Sequence, residues 1–185
     1  MLTEYLLASS VFILLCFFVF RVIVRRDYLN KQRLSRSSGL LEVLVFAVHA
    51  NLMYLFIPAK WPNLPQLPEN LIANILSFIV FCSGLIILLI SWFNLGTETS
   101  FGHGKNELNT SGIYRYSRNP QLLGYGILLF SFVIIYFSWY SVGWMLLYLV
   151  ASYFMVKSEE EFLTRRYGEG YISYCSDVPR TVKLF

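Results

Sequence analysis

The chain has 185 residues, of which 56% are hydrophobic and 14% charged, with a formal net charge of +4. Its mean hydropathy of +0.55 excludes an ordinary water-soluble domain, in which about one residue in four is charged. The apolar residues gather in blocks of about 20, the length that crosses about 30 Å of hydrocarbon, so composition predicts an all-α, polytopic membrane helix bundle in one domain, residues 1–185.

The predicted spans are Tyr5 to Val24, Leu40 to Ile57, Leu71 to Phe93, Leu122 to Phe137 and Val142 to Val156. The first has Glu4 and no basic residue before it, and its basic residues follow it, which suits a retained span better than a cleaved signal peptide. The connection from Arg25 to Ser38 carries Arg25, Arg26, Lys31, Arg33 and Arg36 against Asp27, whereas Pro58 to Asn70 carries Lys60 against Glu69. By the positive-inside rule the first connection is cytoplasmic, a topology signal rather than a nucleic-acid patch. The loop from Asn94 to Gln121 and the tail after Val156 then share that side, with Lys105, Arg115, Arg118, Lys157, Arg165, Arg166, Arg180 and Lys183. The N-terminus is expected outside and the C-terminus in the cytoplasm, in the plasma membrane of a prokaryote or the endoplasmic reticulum of a eukaryote.

Pro58, Pro62, Pro65 and Pro68 deny the external loop a regular helix, because each lacks a donor and has a fixed φ. The last two spans, joined by little more than Ser138 to Ser141, form a tight hairpin. Polar residues inside the spans are few. Glu42 sits near a cytoplasmic end and reads as interfacial, and His49 and Asn51 read as interhelical hydrogen-bonding groups. Cys16, Cys82 and Cys175 have no disulfide or zinc-like spacing, so no metal site is expected.

Two cytoplasmic segments flank the hairpin. The first, Ser111-Gly112-Ile113-Tyr114-Arg115-Tyr116-Ser117-Arg118-Asn119-Pro120, ends in a helix start, with Asn119 suited to the N-cap and Pro120 to the first helical position. Its arginines and tyrosines are either interfacial anchors or, with the free N–H groups of the helix start, a site for a carboxylate or phosphate. Gly112 and Gly124 allow close approach to the backbone. In the second, Glu159-Glu160-Glu161, three consecutive carboxylates sweep about 200° of a helix and cannot share one face. Glu161 is expected to pair with Arg165 at i,i+4, leaving Glu159 or Glu160 to face the bundle, where a carboxylate holds an ammonium group.

These two segments, with Gly124, Leu163, Tyr167-Gly168, Tyr171, Tyr174 and Val178-Pro179-Arg180, resemble the isoprenylcysteine carboxyl methyltransferase family over about Leu95 to Arg180. The resemblance implies an S-adenosylmethionine-dependent methyltransferase acting on a lipophilic acceptor from the bilayer. Residues 1–93 then supply three spans, and 94–185 the cofactor loop, the hairpin and a C-terminal catalytic segment. Gly112, Tyr114, Arg118, Pro120 and Gly124 fall on the family's cofactor segment and Glu159 and Glu160 on its acidic pair. Asn119 stands where well-known members have His, keeping hydrogen-bond donors but no ionisable ring. Glu160 and Arg180 are the expected catalytic residues.

Methyl transfer from a sulfonium is an in-line displacement, so the protein supplies alignment and a dry site, and a carboxylate nucleophile needs no general base. This suits a chain whose histidines are His49 and His103. Arg180 is the candidate for gripping the acceptor's anion, with a membrane-anchor role as its plainer reading. A prenylated cysteine, a phospholipid amine, a phenolic lipid or a small thiol remain open as acceptors. Two rival readings are an NADPH-dependent sterol-reductase-like enzyme, echoed by Tyr174-Cys175-Ser176-Asp177-Val178-Pro179, and a non-enzymatic scaffold or transporter.

The topology predicts that an impermeant thiol reagent applied to intact cells labels a cysteine introduced at Pro65 and spares Cys175. Labelling of Cys175 with protection of position 65 would invert the assignment.

Overall fold

The computed structural model describes residues 1–63, 65–95 and 108–182. His103, Lys105 and Lys183 lie outside the described residues. The fold is helical: α1 (Leu2–Lys31), α2 (Arg36–Leu52, continued by a 3-10 turn, Met53–Leu55), α3 (Leu71–Leu95), a 3-10 turn Gly112–Arg115, α4 (Pro120–Ile135), α5 (Trp139–Tyr167) and α6 (Glu169–Asp177). Among the described residues there is no β-strand. The helices α1, α2, α3 and α5 are long and apolar enough to cross a membrane, and α4 is a shorter apolar helix.

Long-range hydrogen bonds set the helix directions. Tyr5 donates to the Tyr140 carbonyl near one end of α1 and α5, and Arg21 donates to Ser158 near the other, so these helices run parallel. His49, late in α2, meets Trp144, early in α5, so α2 is antiparallel to both. Their side chains stack at 4.8 Å, and each bonds the other's backbone carbonyl, at 2.9 Å from His49 Nε2 and 2.7 Å from Trp144 Nε1. The interhelical role expected of His49 is thus present. Asn51 instead donates to Ala47 on its own helix, because its side chain falls on the outward face.

The basic connection, the Gly112–Arg115 turn and α6 therefore share one face, and the proline-rich loop and hairpin turn share the other, where Tyr136 donates to Gln66. The connection between α1 and α2 is knotted around buried Asp27, which accepts from Lys31, from Ser38 and from Ser35, the N-cap of α2. A reciprocal capping box between Ser138 and Ser141 starts α5 immediately after the hairpin turn.

Within α1 the stretch Phe17–Val24 is π-helical and buries Val19, Phe20 and Val24. The Phe20 carbonyl accepts from Ser158 Oγ. On the other side of the bundle α3 packs along α4 at a glycine crossing: a Cβ on Gly84 would lie 2.5 Å from the Leu128 backbone nitrogen, and one on Gly124 would lie 2.6 Å from that of Leu88. The outer surface of α3, with Leu71, Ile72, Ile75, Phe78 and Ile79, is exposed for lipid contact.

The fifth helix runs well past the expected end at Val156 to Tyr167, about three further turns at 3.6 residues each. Its charged end stays helical because it packs against α1 and α6. Gly168, at φ +53, breaks it in a conformation that favours glycine, and α6 turns back from there.

Because Gly84 abuts backbone rather than a yielding side chain, Gly84→Ala is expected to force α3 from α4 at a cost of about 1–3 kcal/mol, seen as a lower thermal midpoint in detergent. Gly170→Ala, which meets open space, should leave the midpoint nearly unchanged.

Candidate active site

The two segments flanking the hairpin meet at the basic face of the bundle. Arg118 N–H donates to the Pro179 carbonyl at 3.0 Å, and Ser117 Oγ to the Arg180 carbonyl at 3.1 Å. Asn119 does hold the N-cap position of α4, with Pro120 following, but its side chain makes no capping bond; Nδ2 reaches the Arg180 carbonyl at 3.3 Å instead. The C-terminal segment has taken the group that a free helix end would keep. Behind this seam Tyr171, Tyr174 and Val178 form a small apolar cluster, and Tyr174 Oη donates to the Tyr114 carbonyl at 2.6 Å. Burial pushes the Tyr174 phenol up to about 12. Tyr114 and Tyr171 are raised too, by burial first and then by the carboxylates of Glu159 and Glu160 respectively, so all three tyrosines stay neutral at ordinary pH.

Glu160 is the charged centre of the seam. Its Oε1 accepts from Arg118 Nη1 at 2.9 Å and from Arg180 Nε at 2.8 Å, and its Oε2 from Arg180 Nη2 at 2.5 Å. Arg118 Nη1 also lies 2.7 Å from Cys175 Sγ, while Arg118 Nε is buried with no partner. The bond to Glu160 in turn raises the pKa of Arg180.

The two neighbours of Glu160 do different work. Glu161 does not pair with Arg165. Its carboxylate takes Arg21 Nη2 at 2.7 Å and Arg25 Nε at 2.6 Å, fastening α1 to α5. The i,i+4 rule describes an isolated helix, and here α1 lies on that face with two arginines, one largely buried. Glu159 carries no hydrogen bond or ion pair among the described residues and lines an internal cavity of about 160 Å³.

That cavity is walled by Tyr114, Arg118, Glu159 and Glu160, which are among the residues expected at the site, and also by Tyr171 and Tyr174, by Tyr28 of α1 and by Glu42 of α2. Glu42 therefore lines a cavity near the start of α2. It shares a helix face with Val45 and His49, both fully buried, and that face looks inward. Tyr28 stacks on Phe162 at 4.5 Å. The sequence signal for Glu42 was a lone carboxylate in an apolar run; for Tyr28 there was none.

A second, larger cavity of about 530 Å³ runs between α4 and α5. Leu123, Ile127, Phe130, Met145 and Leu149 line its length, and Lys157 and Arg180 lie toward its charged end. Asn119 and Leu122 line both cavities, while Glu160 lines the first and Arg180 the second. Of the other predicted site residues, Pro120 is buried at the start of α4. Gly112, at φ +58, rests on the Asn94 side chain at the end of α3. Gly124 lines neither cavity; it is the crossing point with α3. Among the described residues no three His, Cys, Asp or Glu side chains gather as metal ligands.

The membrane bundle thus carries a tyrosine-walled, acidic cavity and an apolar groove that share Asn119 and Leu122 as lining. The chain belongs to the phospholipid methyltransferase family, whose model matches residues 72–170, and it is a membrane methyltransferase. The match takes in the loop before α4, the hairpin and the three glutamates, and stops short of Val178 to Arg180. No curated protein and no solved structure matches the chain.

Glu160→Gln should leave two guanidiniums facing each other without their shared anion and free the C-terminal segment. Amide exchange across residues 174–182 is expected to accelerate at least about tenfold, in line with a charge-assisted bond of about 1.5–3 kcal/mol. Unchanged exchange would mean that the apolar cluster alone holds the segment down.

Proposed function

We propose that this protein is an S-adenosylmethionine-dependent methyltransferase of the isoprenylcysteine carboxyl methyltransferase type, with the donor in the tyrosine-walled cavity and a lipophilic acceptor in the groove between α4 and α5. The observation that carries this reading is the shared wall. Asn119 and Leu122 border both cavities, and the Glu160–Arg180 pair has one member on each side.

The donor cavity fits such a cofactor by its charges. Glu159 is a carboxylate in want of a cation, Arg118 offers a buried and unbonded N–H, and neutral tyrosines supply flat apolar walls. The cofactor, when bound, supplies an electrophilic methyl group. The chain's own residues hold and align. Glu159 takes the ammonium group, the role that the sequence leaves open between Glu159 and Glu160. Glu160, with both oxygens engaged by arginines, sets the positions of Arg118 and Arg180. Leu122 and the cluster under Tyr171 keep water from the path.

On the acceptor side, Arg180 and Lys157 form a cationic end to an otherwise apolar groove. This suits an amphiphile with an anionic head, and a carboxylate there is already a nucleophile at neutral pH. A phospholipid amine is the second reading, favoured by the description of the matching family. Its phosphate would meet the same two cations, and its ammonium would first have to lose a proton. The site-bearing face is the one rich in Arg and Lys, so the reading has it facing the cytoplasm.

Calorimetry on the purified protein in detergent should detect S-adenosylmethionine and not NADPH; the reverse would revive the reductase reading. Arg180→Lys keeps the charge and loses the planar fork. Turnover of a prenylated cysteine analogue is expected to fall about a hundredfold, with donor affinity changed less than about threefold. Near-normal turnover would make Arg180 a structural residue, and methylation of phosphatidylethanolamine in place of the analogue would select the second reading.

A further inference from the structure

Glu42 belongs to neither of the two segments that carry the resemblance, and it lies outside the residues matched by the family. Yet it lines the same cavity as Glu159, and Tyr28 lies on the same wall. Neither carboxylate has a cationic partner among the described residues. Arg118 is committed to Glu160, and Arg166, which also borders the cavity, donates to the Gln32 carbonyl and lies over the rings of Phe162 and Tyr167. Two carboxyl groups that share a cavity and have no cationic partner cannot both be charged cheaply in a bundle of low dielectric, and such groups are kept where a cationic ligand completes them.

This argument rests on the donor reading above. S-adenosylmethionine carries two positive groups, an α-ammonium and a sulfonium, and one negative group, its carboxylate. The ammonium and carboxylate share one carbon, so they must settle where an anion and a hydrogen-bond donor are neighbours, beside Glu159 and the Arg118 and α4 end of the cavity. The sulfonium remains, and so does Glu42, with the Tyr28 ring alongside; aromatic faces also attract such cations.

We infer that Glu42, supplied by α2, is a donor-binding residue that faces the sulfonium and so tells the charged methyl donor from its uncharged demethylated product. The same contact gives the enzyme a way to release product. Once the methyl group has left, the sulfur is a neutral thioether and the attraction to Glu42 is gone, while the attraction at Glu159 persists.

The test compares S-adenosylmethionine with S-adenosylhomocysteine, which keeps the ammonium, carboxylate and adenosine and lacks the sulfonium charge. By calorimetry on the full chain in detergent, Glu42→Gln should weaken S-adenosylmethionine binding about tenfold or more and change S-adenosylhomocysteine binding less than about threefold. Glu159→Gln should weaken both by similar factors. Glutamine matches glutamate in size and in hydrogen-bonding groups, so the ligand-free Glu42→Gln protein should melt close to wild type, which separates lost recognition from lost fold. Equal losses of both ligands in Glu42→Gln, or no loss of either, would overturn the inference while leaving the donor reading intact. A wild-type protein that binds neither ligand would overturn the donor reading and this inference with it.

Discussion

One carboxylate holds the site together. Glu160 lies between Arg118, from the loop before α4, and Arg180, from the segment after α6, and these three residues come from parts of the chain separated by 42 and 20 positions. Each guanidinium is presented where the membrane ends, and the carboxylate that joins them is carried there by a helix that does not stop at the membrane surface. Removing Glu160 leaves two guanidiniums facing each other without their shared anion, whereas removing either arginine leaves a balanced pair, so the carboxylate is the member the group cannot lose. The backbone bonds from Ser117, Arg118 and Asn119 to residues 179 and 180 follow from that placement.

The three consecutive glutamates show how one helical turn serves three purposes. At 100° per residue their side chains point to three different neighbours. Glu161 meets α1 and ties the first helix to the last long one. Glu160 meets the two arginines, and Glu159 meets open space in the cavity. Only the last of these is left for a ligand. A structural pair, a positioning pair and a free carboxylate thus stand side by side, and the packing of other helices against α5 decides which is which.

The division between the two cavities follows from the helices themselves. The groove between α4 and α5 is apolar because both helices present bilayer-compatible side chains, and it becomes cationic where the chain leaves the bilayer, at Lys157 and Arg180. The tyrosine-walled cavity lies on the other side of the Asn119 and Leu122 wall and is lined also by Tyr28 stacked on Phe162. The first two helices, which carry no recognisable motif, therefore line that cavity too.

Much of this was legible in the amino-acid sequence. The apolar blocks, the bias of Arg and Lys to one set of loops and the Asn119-Pro120 helix start depend on local composition, and the Arg118, Glu159, Glu160 and Arg180 motif set is a pattern along the chain. What lay beyond it were facts about which faces meet. The pairing of Glu161 with Arg21 and Arg25 requires α1 to lie on one face of α5, which no spacing within α5 reveals. That Gly124 is the point where α3 and α4 touch is invisible in its motif, because its partner, Gly84, is 40 residues away. Asn119 has the composition of a cap, but a bond to the Arg180 carbonyl competes for its side chain and wins once the C-terminal segment is docked. Glu42 looked interfacial because depth along a helix can be counted from sequence. Its direction around the helix acquires meaning only when α5 is packed against the face that carries Val45 and His49, and burial of that face turns a lone carboxylate into part of a cavity.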